Sequence, residues 1–242
     1  MRKIVVGIIP TYNLSNDGND PYKDISSFVS MYEQMIIDAG AIPVGILDRN
    51  IEKYFDICDA YLWPGGICIQ RDFYKVFDDV LKSKKPLLGI CMGMQAIVTY
   101  FNILEDMKTS NLSFEETYQN KKIDNPYLIK LDDDKRINHF HDVKKDELSI
   151  KNALHKVNIK ENTLMHKIYN FESIMEPSMH GMTINRMPKC LIATSFSEDN
   201  VIESIEYKDN SYNILGVQYH PELIKDIKVF NWLVNKAKDN LK

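Results

Sequence analysis

Three short segments carry residue types that could do covalent chemistry together. The first is Gly89-Ile90-Cys91-Met92-Gly93-Met94-Gln95, a cysteine with glycine two positions to either side. It lies between an apolar β-type run and an apolar helical run. That placement fits a nucleophile elbow, a tight strand-to-helix turn that lifts a reactive side chain above a sheet. Bulk beside such a turn would meet the neighbouring strand and helix, hence the glycines. The helix N-terminus after Cys91 favours negative charge, which lowers a thiol pKa and enriches the thiolate. Alone, the segment reads equally well as a buried structural cysteine between helix-packing glycines.

The second segment is Gly216-Val217-Gln218-Tyr219-His220-Pro221-Glu222. A thiol nucleophile needs a base within hydrogen-bond reach, and the base needs an orienting partner. His220 at a strand end, with Glu222 two positions on, supplies both. Residues at i and i+2 of an extended segment share a face, so the carboxylate can hold the ring. The third segment, Trp63-Pro64-Gly65-Gly66, leaves backbone N–H groups exposed, as an oxyanion requires, and the N–H of Met92 would be a second donor. Singly, the second and third segments read as ordinary turns. All three fall at predicted carboxyl ends of strands, where open α/β sheets build their sites, and this shared placement argues for one site.

The elements that must position them alternate. Lys3–Ile9, Ala41–Leu47, Cys58–Trp63 and Pro86–Ile90 read as buried strands. A polar loop from Thr11 to Asp24 follows the first. Helical spacing covers Ile25–Ala39, with Gly40 as a stop, then a short helix at 51–57, Arg71–Ser83, and the helix opened by Cys91. This alternation implies a parallel sheet covered on both faces. Residues 105–150 carry dense charge clusters and poor periodicity, and read as a surface excursion or a lid. A strand is expected at His155–Ile159, a hairpin around Asp199-Asn200, and a strand at Ile214–Tyr219. An amphipathic helix closes at Ile224–Leu241, with Ile227, Phe230, Leu233, Val234 and Ala237 inward. No repeat or linker divides residues 1–242, so one domain is expected.

Composition narrows the function classes. Among 242 residues, 44% are hydrophobic and 26% charged, which suits a soluble globular protein. A net charge of -4 gives no electrostatic reason to expect nucleic acid or an anionic membrane as partner. Pro86–Leu104 is uncharged and nearly long enough to span a bilayer, but its glycines, Gln95, Thr99 and Asn102 fit a strand turning into a buried helix. The apolar run Ile4–Ile9 is too short for a secretion signal. Cys58, Cys68, Cys91 and Cys190 form no metal-like spacing and read as reduced thiols of a cytoplasmic protein. His139-Phe140-His141 puts two imidazoles on one face, with no third ligand evident in the sequence, and His155 reads as packing at a strand end. No metal and no cofactor is expected.

G-I-C-M-G-M-Q, P-G-G and G-V-Q-Y-H-P-E resemble the three signature segments of the class I glutamine amidotransferase superfamily, and the likeness covers nearly the whole chain. It implies a flavodoxin-like α/β fold, an open, mostly parallel sheet with helices on both faces. It also implies a triad of Cys91, His220 and Glu222, and an oxyanion hole from the backbone of Gly65 and Met92. Gly66 and Gln95 become implied substrate contacts. The chain is most similar to the γ-glutamyl-γ-aminobutyrate hydrolase-like branch, peptidase family C26. The segments that carry this are the opening Gly7–Tyr12, Tyr32 with Ala39–Val44, the Ser178-Met179-His180 substrate loop, and Asp199–Glu206. Those hydrolases usually carry Arg after the nucleophile, where Met92 stands, which bears on substrate choice rather than on the backbone donors. Their Gly-Gly-x-Leu segment is replaced by Asn102-Ile103-Leu104-Glu105.

The resemblance therefore implies hydrolysis of a γ-glutamyl amide or glutamine through a thioester on Cys91. The alternatives are a glutaminase subunit feeding ammonia to a separate synthetase, and a catalytically silent binding domain. The chain carries no synthetase domain of its own, which favours the free-standing hydrolase. A homo-oligomer or a docked synthetase stays open.

Overall fold

The computed structural model describes residues 2–14, 24–47, 51–66, 73–121, 125–144 and 146–241. Strand β1 (Val5–Ile8) leads into a small antiparallel pair, β2 (Thr11–Leu14) and β3 (Asp24–Ser27), then α1 (Ser30–Asp38) and β4 (Ile42–Gly45). A 3-10 turn at Ile51–Tyr54 precedes β5 (Ala60–Trp63), α2 (Phe73–Ser83), β6 (Leu87–Ile90) and α3 (Met92–Ser110). Then come α4 (Phe114–Lys121), β7 (Leu128–Lys130), α5 (Asp133–His139) and α6 (Glu147–Asn152). The last part holds β8 (Leu154–Ile159), α7 (Leu164–Tyr169), β9 (Ser173–Pro177), β10 (Met182–Ile184), β11 (Leu191–Ser197), β12 (Ile202–Tyr207), β13 (Ile214–Val217) and α8 (Lys228–Asp239).

Nine strands form one sheet in the order β4-β1-β5-β6-β13-β12-β11-β8-β9. The first five run parallel, and β12, β11, β8 and β9 extend the sheet antiparallel. This is the α/β fold the alternation implies. The extension begins at the expected hairpin, whose Asn200 turns with φ 62°, a left-handed conformation asparagine tolerates.

Two-residue alternation feeds two cores. Val6, Ile8, Ala60, Leu62, Leu88, Ile90, Leu215 and Val217 meet α1 and α8 on one face. Tyr61, Trp63, Leu87 and Ile214 meet α2 and α3 on the other. The inward residues expected of the last helix are where they should be: Phe230, Leu233, Val234 and Ala237 are buried, and Ile227 packs partly buried against the same core. Among the described residues no helix is long and apolar enough to cross a membrane. Pro86–Leu104 is the buried strand-to-helix passage the sequence suggests.

Two local readings change, and a third is not reached. The first helix starts at Ser30 rather than Ile25, because Asp24–Ser27 pairs with Thr11–Leu14 as an antiparallel ribbon. The expected helix start at Arg71 and the residue Cys68 lie outside the described residues. In 105–150, α3 continues to Ser110, and short helices follow around β7, which pairs with β10. Tyr127, Leu131 and His139 are buried there. Helices of six to eight residues are too short to display a clear 3.6-residue pattern.

The contact that sets the elbow is the approach of α3 to β5. A Cβ on Gly93 would stand 2.2 Å from the backbone oxygen of Trp63, and one on Gly89 would stand 2.8 Å from the backbone of Gly93. Gly93→Ala should therefore push α3 off the sheet and cost about 1–3 kcal/mol or more. Chemical denaturation measures it, and a variant as stable as wild type would show that the helix has room to shift.

Strand β9 places a buried acid near the same end of the sheet. Glu176 is 1% exposed. Burial first, then the neighbouring carboxylates of Asp226 and Glu222, push its pKa up to about 10. Below the ordinary carboxyl range both folded and unfolded chains hold this proton. As pH rises towards 10 only the unfolded chain releases it freely, so stability falls. Glu176→Gln removes that dependence, and its stability relative to wild type should grow between about pH 5 and pH 9 by at least about 1 kcal/mol. Parallel stability-versus-pH curves for the two proteins would contradict the protonated state.

Candidate active site

Cys91 sits between β6 and α3 with φ 51° and ψ −107°, a strained conformation for a residue with a side chain. Its N–H donates to the carbonyl of Val217 at 2.8 Å, which fastens the elbow to the neighbouring strand β13. The cysteine is 7% exposed. Met92 opens α3, so its N–H belongs to the first turn, which has no intrahelical acceptor.

Strand β13 ends two residues before Tyr219, and the chain is then held from both sides. The Gln218 N–H donates to Glu203 O at 2.8 Å, and the His220 N–H to Pro177 O at 3.0 Å. A 3-10 turn at Pro221–Leu223 follows, so His220 and Glu222 are brought together by this turn rather than by an extended segment. Proline suits the start of that turn because it fixes φ and has no N–H to satisfy. The result is a 2.7 Å bond between His220 Nδ1 and Glu222 Oε1. The ring's other side is within hydrogen-bonding reach of the Cys91 thiol. Burial works against a charged imidazole here. The Glu222 carboxylate and Cys91 outweigh it and hold the His220 pKa well above the ordinary histidine value.

Gly65 completes the cluster. A Cβ there would lie 2.9 Å from His220 Cε1 and 3.3 Å from Cys91 Cβ, so only glycine lets the backbone come this close. Its N–H donates to the Tyr32 hydroxyl at 3.2 Å. Tyr32 is 2% exposed, and its pKa is pushed well above the usual phenol value by burial and by nearby Glu222. The sequence places Tyr32 on the inward face of the first helix but gives no sign that its hydroxyl lies between Gly65 and Glu222.

The residues expected to touch substrate divide into two groups. Gly66 is exposed beside the Met92 side chain, whose Cε would be 3.0 Å from a Cβ at Gly66. Gln95, 9% exposed, is tied through Nε2 to Gln218 Oε1 at 3.0 Å. Ser178 and His180 are buried, and their hydrogen bonds lead elsewhere. Ser178 Oγ donates to His139 O at 2.9 Å, and His180 Nδ1 bonds Met182 O at 2.9 Å. Half-buried Met179 forms a bridge with Phe140.

A thiol, an imidazole and a carboxylate in sequence, beside a helix N-terminus and a glycine N–H, can attack an acyl carbon and protonate a leaving group. The other described cysteines lack this setting. Burial pushes the thiols of Cys58 and Cys190 up to about 11.

The chain as a whole is similar to several known proteins. A glutamine amidotransferase-like protein of Rickettsia prowazekii is 27% identical, over 98% of this chain and 99% of its own length. The CTP synthase of Methanothermobacter thermautotrophicus is 25% identical over 89% of this chain, which spans about half of that enzyme (46%). Among solved structures, the glutaminase domain of the Trypanosoma brucei CTPS, with bound acivicin, superposes with a TM-score of 0.62 at 16% identity, covering 98% of this chain and 94% of that one. Residues 68–222 match the Peptidase C26 family, so the chain belongs to that family, within the class I glutamine amidotransferase-like superfamily.

Proposed function

We propose that the chain hydrolyses the γ-amide bond of γ-glutamyl compounds through a γ-glutamyl thioester on Cys91. The observation that carries this reading is the single cluster in which His220 lies between Glu222 and Cys91, with Gly65 pressed against both ring and thiol. The thiol proton passes to His220, the sulfur attacks the γ-carbonyl carbon, and the carbonyl electrons move onto oxygen. The N–H groups of Gly65 and Met92 receive that oxyanion, with the Gly65 N–H turning from the Tyr32 hydroxyl. The imidazolium proton passes to the amine as the C–N bond breaks. Water then attacks the thioester carbonyl, its proton goes to His220, the C–S bond breaks to return the Cys91 thiolate beside the imidazolium, and glutamate leaves. Glu222 orients the ring throughout. Gly66 and Gln95 face the substrate, and the Ser178-Met179-His180 segment shapes the wall behind them. Met92, in place of a basic residue, favours small uncharged leaving amines over acidic ones.

A second reading, a glutaminase delivering ammonia to a separate synthetase, draws on one observation. The Gly65 N–H already has an acceptor in Tyr32, as expected of an oxyanion hole that opens only when a partner docks.

Glutamate release by the purified chain separates the two. The expected result is turnover of γ-glutamyl amides of small amines, with glutamine a poorer substrate. A chain inert on every amide, with glutamine hydrolysis only beside a candidate synthetase, would establish the second reading instead.

The roles are tested on the same assay. Cys91→Ala and His220→Ala should each lower kcat on the order of 10⁶-fold and Glu222→Gln on the order of 10⁴-fold, with the double change no worse than the single, as for residues that act as a unit. Iodoacetamide should label Cys91 before Cys58 or Cys190. Wild-type kcat in Cys91→Ala sinks the mechanism, and wild-type kcat in Glu222→Gln means another group holds the ring.

A further inference from the structure

Away from Cys91, three imidazoles surround one buried carboxylate. Glu203 on β12 is fully buried, and both its oxygens lack a hydrogen-bond partner. His139 Nδ1 is 3.4 Å from Glu203 Oε1, His155 Nε2 is 3.6 Å from Oε2, and His180 Nε2 is 3.5 Å from Oε1. The nitrogens of His155 and the Nε2 of His180 are likewise unpartnered.

The second nitrogens show where the protons are. His139 Nε2 lies 3.0 and 3.1 Å from the two oxygens of Asp199, so it donates there and Nδ1 presents a lone pair. His180 Nδ1 donates to Met182 O, which only accepts, so Nε2 also presents a lone pair. At His139 and His180, lone pairs of nitrogen thus face the oxygens of Glu203. Protonating the rings instead would draw them to the 2.7–2.9 Å of a charge-assisted bond, roughly the range for N⁺–H···O⁻, and would bury several like charges. A tetrahedral ion with ligand bonds of about 2.0–2.1 Å sets its ligand atoms roughly 3.3–3.4 Å apart, and the His139–Glu203 and His155–Glu203 separations are 3.4 and 3.6 Å.

We propose that His139, His155 and Glu203 bind a divalent transition-metal ion of the zinc class, at a site separate from Cys91. Their ligand atoms all lie within 4.8 Å of one another. Asp199 behind His139 supplies the outer carboxylate that fixes a ligating imidazole. His139 and His155 line a cavity of about 660 Å³, which gives the ion a path and a water for its remaining position. The ion would pin α5 to β8 and β12, fastening residues 133–139 onto the antiparallel half of the sheet.

The test uses the purified chain, stripped with a chelator and titrated with Zn²⁺. One ion per chain should bind, and the thermal unfolding midpoint should rise by about 5–15 °C at 100–1,000 times Kd. Cys91→Ala and the remote His166→Ala should keep both effects, and His155→Ala should lose both. Zinc uptake that disappears with Cys91→Ala and survives His155→Ala overturns the proposal, as does wild-type protein that takes up no zinc. Should His155→Ala fail to fold, Co²⁺ added to Cys91→Ala decides. Intense tetrahedral visible bands without a thiolate charge-transfer band support the site, and their absence overturns it.

Discussion

Everything around Cys91 depends on one close approach, the packing of the first turn of α3 onto the backbone of β5. Gly93 touches the Trp63 carbonyl region so tightly that no side chain fits between them. That contact brings the helix N-terminus to the sheet edge and forces the chain to reverse within one residue. Cys91 takes up the reversal with its positive φ, at a strain of order 1–3 kcal/mol, which the elbow's backbone bond to Val217 and the apolar burial of α3 offset. The same glycine spacing that looks merely permissive in the sequence is thus a distance constraint between two backbones.

A second consequence follows from where the sheet changes direction. The parallel half delivers Gly65 and Cys91 at the ends of β5 and β6, and β13 delivers the approach to His220. The antiparallel half then fixes what lies beyond β13, because β12 binds Gln218 and the end of β9 binds His220 through backbone groups. The imidazole is therefore positioned by strands that carry none of Cys91, His220 and Glu222. A pure parallel sheet would leave that segment without partners on its outer side.

Residues in strong local patterns were readable from the sequence. The glycines around Cys91 and the Asn200 hairpin each announce a backbone geometry, and each adopts it, whereas His-Pro-Glu forms a 3-10 turn in place of the extended segment its spacing suggests. Less legible was whatever depends on distant meetings. Tyr32 reads as a core residue of a helix, and nothing local points its hydroxyl at Gly65 and Glu222. The Ser178-Met179-His180 segment matches a loop pattern, yet the buried side chains of Ser178 and His180 bond His139 and Met182. His139 and His141 look like a pair lacking a third ligand because the groups that join His139 come from β8 and β12, 16 and 64 positions further along. Sequence spacing cannot report a cluster closed by sheet topology.

The two buried carboxylate–histidine assemblies differ in a way that separates their chemistry. At Glu222 one imidazole meets one carboxylate at 2.7 Å, a proton between them, and the ring's other side faces Cys91. In the proposed mechanism that pair shifts its proton as charge develops at Cys91, while the carboxylate's second oxygen, Glu222 Oε2, is buried without a partner. At Glu203 three imidazoles stand off one carboxylate at 3.4–3.6 Å, and the far nitrogens of His139 and His180 are bonded elsewhere, to Asp199 and Met182. A proton cannot satisfy a gap of that width, whereas a cation shared among the lone pairs can. On these proposals the same two residue types, histidine and glutamate, form a proton-transfer pair where the ring is donor to the acid, and a cation cradle where it is not.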